Sequence, residues 1–165
     1  MKASDIKKIV IHCSATTEDT DYTFERLLRD HKQMGFRKCG YHRYIRKDLT
    51  VYVGRQYNEQ GAHAGKENNI DSIGICYEGG VIAGGDVKNP KDHKDTRTPA
   101  MRALLLEEII KAMKWVEYNG GKIEHIVGHR DLSPDLDGDG IVEPNEWIKS
   151  CPCFDAIPEY QHLLK

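Results

Sequence analysis

The sequence predicts an α/β domain in which one central mixed β-sheet is flanked by helices. Three observations carry this reading. Short apolar runs of strand length are interleaved with two longer segments of helical periodicity, and two adjacent strand-like runs are joined closely enough to form a hairpin. The 165 residues contain no internal repeat and no linker that would divide them. A single domain of this length, 1–165, buries a core without disulfide staples.

Residues Ile6–Ser14 read as a buried strand, with Val10 and His12 on one face and Ile9, Ile11 and Cys13 on the other. Thr23–Met34 reads as a helix: Thr23 caps it, Phe24, Leu27, Leu28 and His31 share a face, and Gly35 ends it. Tyr41–Arg46 and Thr50–Gly54 form the hairpin, turning at Lys47-Asp48. Ser72–Glu78 is another apolar strand, closed by Gly79-Gly80. The Gly-, Lys-, Asp- and Pro-rich stretch Ala83–Arg97 is an exposed loop. Thr98-Pro99 opens a long helix whose apolar positions are Leu105, Ile109, Ala112, Met113 and Val116, ended by Gly120-Gly121. Lys122–Gly128 is a further strand, and Phe154–Leu164 a short closing helix.

A formal charge of −2 gives no electrostatic case for binding nucleic acid or an anionic membrane. No apolar stretch is long enough to span a bilayer, and the start, Met-Lys-Ala-Ser-Asp-Ile-Lys-Lys, lacks the apolar core of a signal peptide. Synthesis in the cytoplasm is therefore expected, as is a monomer. Five cysteines make an odd count without disulfide-like spacing, so free thiols and metal ligation are the better readings. Cys13 and Cys76 lie in apolar runs and are expected to be buried spectators; Cys151 and Cys153 are the pair to weigh as ligands.

The chemistry concentrates near the end of the chain. His12 ends one apolar run, His129 follows another, and Lys149-Ser-Cys151-Pro lies beyond both. Two histidines and a cysteine at strand ends suit a three-ligand zinc site whose fourth position is left open for water, the catalytic rather than structural arrangement. Lys149, two residues before Cys151, is within reach of the same oxygen. A histidine in a strand is more often a core residue than a ligand; only the combination favours the metal. His129-Arg130-Asp131-Leu132 also mimics a kinase catalytic loop, but the chain is too short for a kinase and has no Gly-rich loop with a following strand lysine.

Six segments in order, Ile9-Val-Ile-His-Cys-Ser-Ala-Thr16, Gly40-Tyr-His-Arg-Tyr-Ile45, Gly61-Ala-His-Ala64, Ser72-Ile-Gly-Ile75, Gly128-His-Arg-Asp-Leu-Ser-Pro134 and Lys149-Ser-Cys-Pro-Cys-Phe-Asp155, span nearly the whole chain. In them the chain resembles the zinc-dependent N-acetylmuramoyl-L-alanine amidases of the phage lysozyme type, which share their fold with peptidoglycan recognition proteins. The resemblance implies His12, His129 and Cys151 as zinc ligands, Tyr41 and Lys149 as the catalytic polar pair, and His63 as a substrate contact on the groove rim. It implies hydrolysis of the bond between muramic acid and L-alanine in peptidoglycan or muropeptides, either in the wall after release or in the cytoplasm. The competing class is a muropeptide-binding module that does not cut, which typically lacks the cysteine.

One departure from the family pattern is the insertion Asp135–Glu146, whose spacing fits an EF-hand-type calcium loop. Asp135, Asp137 and Asp139 would ligate by side chain, Ile141 by its carbonyl and Glu146 by both oxygens; the plain alternative is an acidic solvated turn. Gly128–Pro134 does not read as the helix a full EF-hand needs. Calcium held there is expected to keep Lys149 and Cys151 in place.

Overall fold

The computed structural model describes residues 1–165. Its main sheet has five strands: β1 (Lys8–Cys13), β3 (Arg43–Ile45), β4 (Val51–Val53), β5 (Ser72–Tyr77) and β7 (His125–Gly128), in the order β4-β3-β5-β1-β7. Only β3–β4 is antiparallel; β3–β5, β5–β1 and β1–β7 are parallel, so the predicted mixed sheet is present. Helices α1 (Phe24–Gln33) and α3 (Pro99–Tyr118) begin where the capping threonines place them. Thr23 accepts from the Arg26 N–H and Thr98 from the Met101 N–H, both at 3.2 Å. The closing helix is shorter than the sequence suggests: α4 covers Ala156–Tyr160 and gives way to a 3-10 turn at Gln161–Leu164.

Several small elements escape the sequence reading. Strands β2 (Thr16–Thr17) and β6 (Gly80–Val81) form a separate parallel pair, α2 occupies Gly65–Asn69, and a 3-10 turn covers His129–Leu132. Each is too short to carry a periodicity. The last also corrects the expectation of no helical character in Gly128–Pro134, although one 3-10 turn is not the helix of an EF-hand.

The pleat of β1 divides the interior. Ile9, Ile11 and Cys13 join Ile73, Ile75, Tyr77 and the α3 residues Met101, Leu105, Ile109, Ala112 and Val116 in the larger core. On the other face Tyr44 and Cys76 pack with Tyr22 and Leu27 under α1. Burying an aliphatic side chain of this size contributes about 1.5–3 kcal/mol, so the α3 layer dominates the hydrophobic stabilisation.

Charged groups inside the fold are paired. Glu78, at the end of β5, accepts from the N–H groups of Tyr22 and Lys47 and from Arg46. Arg97, at the end of the long loop, bonds Asp95 and Glu159 and the hydroxyl of Tyr160, and its guanidinium lies 3.2 Å from the Phe154 ring centroid. It thereby fastens the loop before α3 to α4. Replacing Arg97 by Met keeps the stem but strands the Glu159 carboxylate and leaves Asp95 only Arg102. Urea unfolding should show a loss of about 3 kcal/mol, and a change under about 0.5 kcal/mol would show the network to be energetically idle.

Candidate metal centre

The strand alternation that sends Ile9, Ile11 and Cys13 into the α3 core turns His12 to the opposite face, where it is 1% exposed. His129 follows β7 directly, in the 3-10 turn. Both sit at the carboxyl ends of neighbouring parallel strands, the end of an open α/β sheet where ligands bind. Cys151 arrives from the turn before α4. Its carbonyl accepts from the Arg130 N–H at 2.7 Å and its sulfur from the Cys13 N–H at 3.2 Å. These two bonds tie together the three segments that carry His12, His129 and Cys151.

The candidate ligand atoms of these three residues all lie within 4.8 Å of one another. Cys151 Sγ is 3.8 Å from His12 Nδ1. Zinc bonds of about 2.3 Å to sulfur and 2.0 Å to nitrogen at a tetrahedral angle would set the two donors about 3.5 Å apart. The separation and the donor types therefore fit a zinc ion. Burial, then the charges of His63, His129 and Lys149, holds the His12 imidazole well below its usual range. Burial and Lys149 hold His129 at about 4. Both rings thus present a lone pair at neutral pH, as a ligand must.

The centre lies in a cavity of about 450 Å³ shared by Tyr41, Ala62, His63, Asn69, Lys149 and the α1 end at His31 and Met34. The Tyr41 ring centroid is 5.1 Å from that of His12, and burial raises the phenol well above its usual range, so it keeps its proton. Lys149 is exposed, lines the cavity and makes no ion pair. His63 lines the cavity too, but its ring stands behind His12, with Nδ1 3.0 Å from His12 Nε2. Cys153 faces Cys13, sulfur to sulfur at 3.7 Å, outside the ligand group.

Of the five residues expected at a calcium loop, the structure brings three together. The carboxylates of Asp135, Asp137 and Asp139 form one exposed group, accepting from the N–H groups of Gly138, Gly140, Asp139 and Ile141. Glu146 is outside that group. It is buried and accepts from the N–H groups of Leu136 and Glu143, closing the loop from within. The base is closed as well: Ile148 N–H donates to Ser133 Oγ at 3.1 Å, and the Arg130 guanidinium covers Trp147 at 4.0 Å from its ring centroid. These contacts hold the chain immediately before Lys149.

Two further histidines hold the site's surroundings together. His42 accepts from the Gly74 N–H and bonds the Glu59 carbonyl, holding β5 to the loop after β4. His93 bonds Ser150 Oγ and the Val87 carbonyl, so the 83–97 loop braces the residue between Lys149 and Cys151. Nothing in the local sequence marks that link; only its partner far along the chain gives it meaning. With Lys88, Pro90 and Trp147, His93 lines a second cavity of about 500 Å³ that shares Cys13, Ala15, Lys149 and Cys151 with the first.

A family model described as N-acetylmuramoyl-L-alanine amidase matches residues 2–152. An endolysin of Klebsiella phage KP32 is 33% identical over 155 residues, 93% of this chain and 85% of the phage protein. The structure of the N-acetylmuramoyl-L-alanine amidase LysC from Clostridium intestinale superimposes with a TM-score of 0.66 at 26% identity, covering 99% of this chain and 88% of that one. Bumblebee PGRP-SA shares the fold at 18% identity and a TM-score of 0.63, covering 97% and 83%.

The buried rings also predict an acid limit for the metal-free protein. Histidines in the unfolded chain take up protons near pH 6.5, whereas folded His42 and His129 do so only near 4. The stability these neutral rings contribute is complete above pH 6.5 and is lost as pH falls towards 4. The loss is about 1.4 kcal/mol per pH unit for each extra proton bound by the unfolded chain. Urea midpoints of chelator-treated protein should fall across that window, and His129→Gln should flatten the slope. An unchanged slope in the variant would contradict the assignment.

Proposed function

The chain belongs to the N-acetylmuramoyl-L-alanine amidase family and hydrolyses peptidoglycan amide bonds, and we propose that it does so with zinc held by His12, His129 and Cys151. The convergence of these three residues on one cavity, with Lys149 beside them, carries the reading. We assign residues 1–165 to one amidase domain, with 135–146 as an insertion in it.

When bound, zinc supplies a water nucleophile active near neutral pH and polarises the scissile carbonyl. The protein's own groups do the rest. The unpaired Lys149 ammonium faces the position where negative charge develops on the carbonyl oxygen, a contribution of about 3 kcal/mol for a single oxyanion donor. Tyr41, which keeps its proton, donates a hydrogen bond into the same space and orients the reacting groups. The N–H of Cys13 holds the Cys151 sulfur in place. The bond cut is that between the lactyl group of muramic acid and L-alanine. No helix is long and apolar enough to cross a membrane; phage endolysin relatives favour a wall substrate, and parallel assays on sacculi and free muropeptides decide between wall and soluble fragments.

Purified protein should carry zinc at about one ion per chain, with Cys151→Ser and His129→Ala losing both metal and hydrolysis and Cys153→Ser keeping both. Active protein free of zinc would end the reading. Lys149→Ala should retain zinc while kcat falls about a hundredfold or more; a rise in KM alone would make Lys149 a binding residue.

Calcium is a second ion to test, favoured by the three convergent carboxylates of Asp135, Asp137 and Asp139. In zinc-loaded protein calcium should raise the melting temperature, and Asp137→Ala should remove the rise. Equal response in both proteins would leave the loop an ordinary acidic turn.

A further inference from the structure

Building on the zinc reading, we propose that His63 is a positioning residue: its Nδ1 accepts the Nε2 proton of His12 and so fixes which His12 nitrogen is bare for the metal. The two nitrogens are 3.0 Å apart and need one proton between them. His12 Nδ1 is the atom that faces Cys151 Sγ. If His63 were the donor, His12 would have no proton on Nε2 and would have to carry it on Nδ1, where the metal binds. Only the pairing with His12 as donor leaves Nδ1 free. A ligand histidine whose second nitrogen is held in this way is oriented as well as chosen by tautomer.

The surroundings of His63 are built for this. Asn69 Oδ1 accepts from the N–H groups of His63 and Ala64, at 3.0 and 2.9 Å, fixing the backbone. Two glycines make room for the ring. A Cβ at Gly61 would stand 2.4 Å from His63 Cδ2, and one at Gly74 would stand 2.6 Å from Cδ2 and Cγ, closer than side chains approach. The far nitrogen, Nε2, is buried and makes no aligned hydrogen bond. It must then hold the ring's own proton, since Nδ1 is the acceptor. The pair of His63 and His12 thus leads to the metal position, and room for its outer ring accounts for glycines at 61 and 74.

The test separates positioning from packing and from substrate contact. His63→Phe keeps a ring on the glycine floor without a nitrogen, while His63→Asn retains an acceptor near the Nδ1 position. In competition with a chelator, His63→Phe should bind zinc ten- to a hundredfold more weakly than the wild type, and His63→Asn within about threefold of it. Nitrogen NMR of the zinc-free wild type should show His12 protonated on Nε2, with that preference lost in His63→Phe. Unchanged zinc affinity in His63→Phe with a raised KM would overturn the proposal and make His63 a substrate contact. So would a wild-type His12 protonated mainly on Nδ1, a measurement that decides the matter even if the phenylalanine variant does not fold. Tight zinc binding by the wild type in either case leaves the amidase reading standing; its absence would remove that reading itself.

Discussion

Parallel ladders on both edges of β1 hold a register in which Ile9, Ile11 and Cys13 face α3 while His12 faces the cavity. The side-chain period of a strand is two, so a slip of one residue would exchange these faces. It would drive His12 into the larger core and bring the apolar set out against the cavity. The packing of aliphatic side chains on α3 therefore sets the position of a candidate ligand on the other side of the sheet. His129 depends on the same ladder, because β7 pairs with β1 and delivers it one residue past its own end. The third segment is attached by two hydrogen bonds from the first two, to the carbonyl and the sulfur of Cys151.

The protein's own contacts hold these residues together. Backbone N–H groups fix the cysteine, and buried imidazoles are kept neutral by the same desolvation that makes them costly to charge. The polar groups nearby are satisfied in pairs: His42 with Gly74 and Glu59, Asn69 with His63 and Ala64, Glu78 with the turn after β3. A low-dielectric interior strengthens each of these bonds and penalises any left open. The exceptions are the buried Nε2 of His63 and the exposed Lys149, a charge left without a protein partner.

Much of this was legible in the sequence. Both long helices announce themselves by a capping threonine and a terminal glycine, and the five strands of the main sheet by short apolar runs. The convergence of His12, His129 and Cys151 was legible only as a constellation, since neither histidine differs locally from a core histidine. What escaped notice has a common cause. Two-residue strands and single turns carry no period, and contacts of His42, His63 and His93 are to partners 17 to 57 residues away. The acidic loop shows the reverse failure. Its spacing suggested a ligand role for Glu146, but the carboxylate is drawn inward by N–H groups the spacing does not describe.

The closed base of that loop has an evolutionary side. Because Ser133 and Ile148 are joined to each other, the stretch between them is an excursion that leaves the sheet end and returns to the same place. The entropy of closing such an excursion grows only with the logarithm of its length, at about 0.6 kcal/mol per doubling. Residues can therefore be gained or lost between Ser133 and Ile148 at little thermodynamic expense and without moving the cysteine or lysine that follow. The segment is a place where the chain is free to acquire new recognition while its chemistry stays fixed.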